Sequence, residues 1–178
     1  PQSGASAPDH FHFQMIPHEF IPLKNDMMVS ALKETIASDG YHSIFTIKNY
    51  IRRVIILTAS DMQQLSSLIT HTLQAIGNTI PFEYEPMVNM FAWFDNCQWT
   101  VSICPRQKHR PWQFFAEGED KILFSPGSID MAGVIVSPRS EDFDKYSREL
   151  LVDLFAQISV SDSQWLQIVE LMKKQQNL

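Results

Sequence analysis

The chain has 178 residues, 44% of them hydrophobic and 19% charged, a composition that suits one domain with a substantial core and excludes a disordered chain. Its net charge of -6 argues against a general nucleic-acid binder, because affinity for a phosphate backbone needs a concentrated basic surface. No apolar run approaches the roughly 20 residues of a membrane-spanning helix, so no membrane partner is expected. Cys97 and Cys104 form neither a C-x-x-C pair nor part of a disulfide pattern, and buried thiols in a reduced, cytoplasmic setting are the expectation.

Near the start, Ser3-Gly4-Ala5-Ser6-Ala7-Pro8 supplies small residues that let a backbone approach a phosphate, together with hydroxyl donors. His10-Phe11-His12-Phe13-Gln14 follows and alternates at period two. On a strand over residues 9–16, His10, His12 and Gln14 share one face, while Phe11 and Phe13 take the other. One face can bury and the other can do chemistry. Two imidazoles beside a phosphate-tolerant turn point to phosphoryl or nucleotidyl transfer, against the plainer reading of a surface strand whose polar face is imidazole. The chain opens at Pro1, already inside this turn, and a fragment of a longer protein is expected.

After a proline-bounded loop, Met28, Leu32 and Ile36 repeat at four-residue spacing and predict a helix over residues 25–37, ended by Asp39-Gly40. Residues 41–47 alternate weakly as a strand, and the β-branched run over residues 53–58 predicts a buried one. A helix begins at Ser60 with a Ser60/Gln63 capping box. Met62, Leu65, Leu68, Ile69, Leu73 and Ile76 form its stripe, and Gly77-Asn78 its stop. Residues 87–94 and 99–104, separated by Asp95-Asn96, predict an antiparallel hairpin.

The following loop carries Arg106, Lys108, His109 and Arg110, which fit either a clamp on a diphosphate or sugar phosphate or a solvated basic loop. Residues 133–137 predict one more strand. Leu150, Leu151, Leu154, Phe155 and Ile158 stripe one closing helix; Trp165, Ile168, Val169 and Met172 stripe the second, capped by Ser161 with Gln164. This order of elements is α+β with an antiparallel sheet, read as a single domain over residues 1–178. Trp93, Phe94 and Trp99 fit either core or nucleobase stacking, and Asp130 and Glu141 either a hydroxyl contact or a structural cap. His18, His42 and His71 read as surface or capping residues.

The His-x-His-x-Gln strand with Gly4-Ala5-Ser6 before it resembles the active-site strand of the histidine-triad superfamily. More narrowly, it resembles the branch holding galactose-1-phosphate uridylyltransferase, diadenosine tetraphosphate phosphorylase and GDP-L-galactose phosphorylase, in which glutamine replaces the third histidine. Arg53-Val54-Ile55-Ile56-Leu57, the helix after it, the residue 93–104 hairpin, and Gly133 followed by Pro138-Arg139-Ser140-Glu141-Asp142-Phe143 are similar to the second half of the last type. The resemblance implies a histidine-triad-like antiparallel sheet with helices packed on one side, within a two-repeat architecture.

It also implies a double displacement. His12, at the nucleophile position, attacks the α-phosphorus of a nucleotide or nucleotide-sugar substrate, Gln14 donates to a nonbridging oxygen, and phosphate or a sugar phosphate removes the nucleotide. His10 matches a residue that is a structural metal ligand in the uridylyltransferases and helps orient the site elsewhere in the superfamily. The other metal partners in that family lie upstream of this chain, so the resemblance leaves a structural divalent metal such as zinc in the parent protein open, with His10 as its one candidate ligand here. Ser6, in the turn with Gly4, corresponds to a phosphate-contacting Ser or Thr of the family, while Arg106, Lys108 and His109 are candidate phosphate contacts from their charge alone. Ser6 sits one residue further from His10 than in the uridylyltransferase pattern, and Asp9 replaces the Pro or Asn of several relatives. A homodimer is a further implied partner. The alternatives left open are a nucleotide hydrolase of the same superfamily and a non-catalytic nucleotide-binding module.

Overall fold

The computed structural model describes residues 14–82 and 85–175. The run Ile-Ile-Leu-Thr-Ala forms β3 (Ile55–Ala59), in which every residue is buried. A strand apolar on both pleat faces needs partners on both edges and cover on both sides. β2 (His42–Ile47) pairs with one edge and in turn with β1 (Lys33–Ser38); β5 (Gln98–Pro105) pairs with the other edge and in turn with β4 (Val88–Asp95). The result is one antiparallel five-stranded sheet in the order β1-β2-β3-β5-β4.

The hairpin joining β4 to β5 turns on Asn96 and Cys97, at φ 49° and 59°. Two successive left-handed residues match the right-handed twist of the flanking strands, which is why Asn sits here. The turn leaves Cys97 exposed, against the expectation of two buried thiols. Cys104 is buried on β5, and burial pushes its thiol up to about 12.

One face of the sheet is covered by α2 (Met62–Thr79) and α6 (Asp162–Gln175), whose Leu65, Leu68, Trp165, Ile168 and Met172 close over Ile44, Ile55, Leu57, Val101 and Ile103. The N-cap of α2 is Asp61, whose carboxylate accepts from the N–H groups of Gln63 and Gln64 at 2.9 Å; Ser60 does not cap it. A carboxylate there also complements the positive end of an 18-residue helix. The helix runs through Gly77-Asn78 to Thr79, beyond the predicted stop. α6 opens on the predicted box: Gln164 Oε1 accepts from Ser161 N at 2.9 Å, and Ser161 Oγ from Gln164 N at 3.3 Å.

The opposite face carries helices too, which corrects the expectation of helices on one side. α1 (Pro22–Met28), α3 (Ser128–Met131) and α5 (Arg148–Ile158) bring Leu23, Met27, Met131, Leu154, Phe155 and Ile158 onto Phe45, Ile47, Val54, Ile56 and Cys104. The cause is already in β3, whose apolar residues leave no face for water. Each large apolar side chain so withdrawn contributes about 1.5–3 kcal/mol.

Three local expectations fail. The predicted helix over residues 25–37 is instead α1, one 3-10 turn (Ser30–Leu32) and β1. Met28 and Leu32 are exposed, so their spacing marks no buried stripe, while the β-branched Thr35 and Ile36 fit an available sheet edge. Residues 133–137 are irregular. Gly133, at φ +107°, turns the chain out of α3, and a Cβ there would meet Pro22 Cβ at 3.0 Å, so glycine also permits the close approach of α3 to α1. Leu23 N donates to Ala132 O across that contact at 3.1 Å. Finally, residues 14–17 carry no strand, so the predicted strand over residues 9–16 does not extend through Ile16; its residues 9–13 lie outside the described part. Among the described residues no helix is long and apolar enough to cross a membrane.

Candidate functional site

Gly4, Ser6, His10 and His12 lie outside the described residues. Gln14 is the first residue described, and it is exposed on irregular backbone. The described part of the expected site is therefore the basic loop after β5.

Its four cationic positions do not converge. Arg106, the residue that leaves β5, is fully buried. Its Nη1 donates to Asn89 Oδ1 at 2.8 Å and Pro126 O at 2.5 Å, and its Nη2 donates to His109 O at 2.6 Å and Lys108 O at 3.2 Å. The loop is thus wrapped around the guanidinium, so Arg106 organises the backbone that carries Lys108 and His109. Burial pulls Arg106 down to about 10, opposed by the nearby Asp130 carboxylate. Lys108 is exposed and His109 half-buried. Arg110 donates through Nε to Ser125 Oγ at 2.8 Å and lies 4.0 Å over the Phe114 ring.

The partners of Arg106 were not legible as such. Asn89 is a buried amide on β4 whose Nδ2 lies 3.4 Å from Ser128 Oγ. Asp130 is buried on α3, accepting from Gly127 N at 2.9 Å and Val136 N at 3.0 Å; burial raises its carboxyl against these bonds. Of the two roles left open, the structural cap is what its contacts describe. Gln113, also unforeseen, donates to Asp153 Oδ2 at 2.9 Å and accepts from Gln157 Nε2 at 3.0 Å, tying the loop to α5. Only the four-residue spacing of Asp153 and Gln157 hinted at this.

The segment that continues from Gly133 is held by Asp142. Its carboxylate accepts from Leu123 N at 2.9 Å and from Arg139 Nε at 2.8 Å and Nη2 at 2.5 Å. The neighbouring Glu141 is exposed, with Arg139 Nη1 at 2.8 Å. The Arg139 bonds hold the Asp142 carboxyl below its usual range, burial opposing. A depressed folded-state value stabilises the fold above the unfolded carboxyl value of about 3.9 and is lost as pH falls through the folded value. The stability gap between wild type and Asp142→Asn is therefore expected to be full above about pH 5 and to shrink below pH 4, as read by urea unfolding across that range.

The hairpin aromatics split across the sheet. Trp93 packs toward α5, while Phe94 and Trp99, with ring centroids 4.9 Å apart, lie on the α2 side. They form no single slot for a base. His42 Nδ1 lies 3.0 Å from Asp39 Oδ2, and His71 is half-buried on α2. Among the described residues no group of three or more His, Cys, Asp or Glu side chains is placed to hold a metal.

The fold is thus an α+β domain built on one antiparallel sheet, with an arginine-centred loop where β5 leaves it. A family model described as "GDPGP1-like, C-terminal domain" matches residues 27–177, and the chain belongs to that family. The match begins downstream of His10-Phe11-His12-Phe13-Gln14, so motif and family are independent observations on one polypeptide. Neither the curated proteins nor the solved structures returned a match.

Proposed function

We propose that the protein is a nucleotide-sugar phosphorylase, a nucleotidyltransferase that works through His12. The observation that carries this reading is the His-x-His-x-Gln motif standing immediately upstream of a GDPGP1-like C-terminal domain. The substrate is a nucleoside-diphosphate hexose and the acceptor phosphate. A neutral imidazole nitrogen of His12 attacks the α-phosphorus; the bond to the bridging oxygen breaks, and hexose 1-phosphate leaves with the electron pair. Phosphate then attacks the nucleotidyl-histidine, and the P–N bond breaks to give nucleoside diphosphate and free imidazole. Splitting one displacement into two lets a single nucleophile serve both halves.

Gln14 stabilises the developing charge through its amide N–H without adding negative charge of its own. His10 orients the site, and the Gly4 to Ser6 turn cradles the phosphates. Lys108 and His109 reach them from the loop that Arg106 holds.

The test is to incubate the protein with GDP-hexose or UDP-hexose, quench at alkaline pH, where phosphoramidates survive, and measure intact mass. A nucleotide-sized adduct is expected in wild type and absent in His12→Asn. No adduct with either substrate overturns the covalent mechanism, and nucleoside monophosphate as the sole product, with or without phosphate, turns the reading into hydrolysis.

A further inference from the structure

The hairpin aromatics offer a base no slot, but a second aromatic group stands immediately after the Arg106 loop. Through the buried Pro111 the chain enters a 3-10 turn (Trp112–Phe114) with Phe115 as its C-cap. Side chains three residues apart eclipse in such a turn, so Trp112 and Phe115 share one side of it. That side faces water: Trp112 is 56% exposed and Phe115 68%. The two residues between them turn inward, Gln113 buried and Phe114 half-buried with the Arg110 guanidinium 4.0 Å over its ring.

An indole left in water forgoes the stabilisation that burial would bring, yet this one sits on a fastened turn. Trp112 N donates to Gln157 Oε1 at 3.0 Å, and Gln113 is held by Asp153 Oδ2 and Gln157 Nε2 at 2.9 and 3.0 Å. The same end of α5 takes the start of the loop. Gln107 N donates to Ile158 O at 2.9 Å and Lys108 N to the same oxygen at 3.4 Å. The loop over residues 107–112 thus leaves from Ile158 and returns to Gln157, bringing Trp112 back beside the point where Lys108 and His109 set out.

A cation next to a rigid, exposed aromatic face is the layout a nucleotide requires, with its phosphates and its base on either side of one ribose. We propose that Trp112, with Phe115 beside it, is the stacking platform for the nucleobase of the substrate, while Lys108 and His109 take the phosphates. The proposal rests on the phosphorylase reading and adds to it the residue that grips the base. Every base presents a π-face to an indole, so Trp112 supplies affinity and leaves the choice among bases to other contacts.

The test titrates GDP, UDP and inorganic pyrophosphate into wild type, Trp112→Ala and Trp112→Phe by calorimetry. The turn is anchored through the main-chain N–H of Trp112 and through Gln113, so both variants are expected to keep the wild-type urea midpoint. Trp112→Ala is expected to bind either nucleotide about tenfold more weakly and pyrophosphate as wild type does, with Trp112→Phe in between. In ¹⁵N-labelled wild type the Trp112 indole N–H, assigned by its loss in Trp112→Phe, is expected to shift saturably with nucleotide. Nucleotide affinity unchanged in Trp112→Ala, with the His12 adduct still formed, overturns the platform and leaves the phosphorylase reading standing. An equal loss of pyrophosphate affinity also overturns it, because the defect then lies in the loop and not in stacking. A wild type that binds neither nucleotide and forms no adduct overturns both readings.

Discussion

Replacing His12 by asparagine is expected to lower phosphorolysis of a nucleoside-diphosphate hexose by on the order of 10⁴-fold or more, with the unfolding midpoint unchanged. Asparagine keeps a polar side chain of similar length but cannot form a phosphoramidate, so under the proposed mechanism both half-reactions would lose their nucleophile. The neighbouring polar residues of the motif are expected to grade differently. Under the proposed mechanism Gln14→Ala would remove one donor to a nonbridging oxygen, with an expected loss on the order of 10²-fold in kcat. His10→Asn leaves the nucleophile in place and is expected to retain measurable turnover. If His12→Asn kept more than a tenth of wild-type kcat/KM, the alternation of Phe and His would be nothing more than a surface strand.

Arg106→Met is expected to cost about 3–5 kcal/mol of stability, read as a lower urea midpoint. The guanidinium holds Asn89 Oδ1 and the carbonyls of Pro126, Lys108 and His109 in one buried cluster, and methionine fills its volume while leaving those acceptors unmade. A surface phosphate clamp would behave differently: its loss would leave stability within about 0.5 kcal/mol and raise KM alone. Lys108→Ala is the paired control, since its side chain is exposed. It is expected to unfold like wild type, so a KM effect there belongs to substrate contact.

The strands and long helices were legible because their signals are local. β3 is a continuous β-branched run, the hairpin is marked by Asp95-Asn96, and the Ser161/Gln164 box announces α6. The losses came where tertiary contact decides. Met28, Leu32 and Ile36 have helical spacing, yet only Ile36 is buried, and it is buried on a strand because β2 offers an edge there. Gly133 reads as a strand start, but the Asp130 carboxylate that takes Val136 N holds the segment off any ladder. The loop after β5 showed its charges in sequence and hid their directions. Nothing in Arg106-Gln107-Lys108-His109 states that the first points inward, because its acceptors come from β4, from Pro126 and from the loop's own carbonyls.

A sheet clothed on both sides has a consequence for alignment. Along β3, Ile55 and Leu57 serve one core and Ile56 the other, so sliding the strand by a single residue exchanges one aliphatic for another with little hydrophobic penalty. Apolar patterning alone therefore cannot choose the pairing of β2 with β3. The choice falls to the few small hydroxyl residues in those strands: Ser43 faces Thr58 across the ladder at 2.7 Å, and Thr46 reaches Val54 O at 2.7 Å. These bonds are made in one alignment only. Three inconspicuous side chains act as detents for the most hydrophobic part of the molecule.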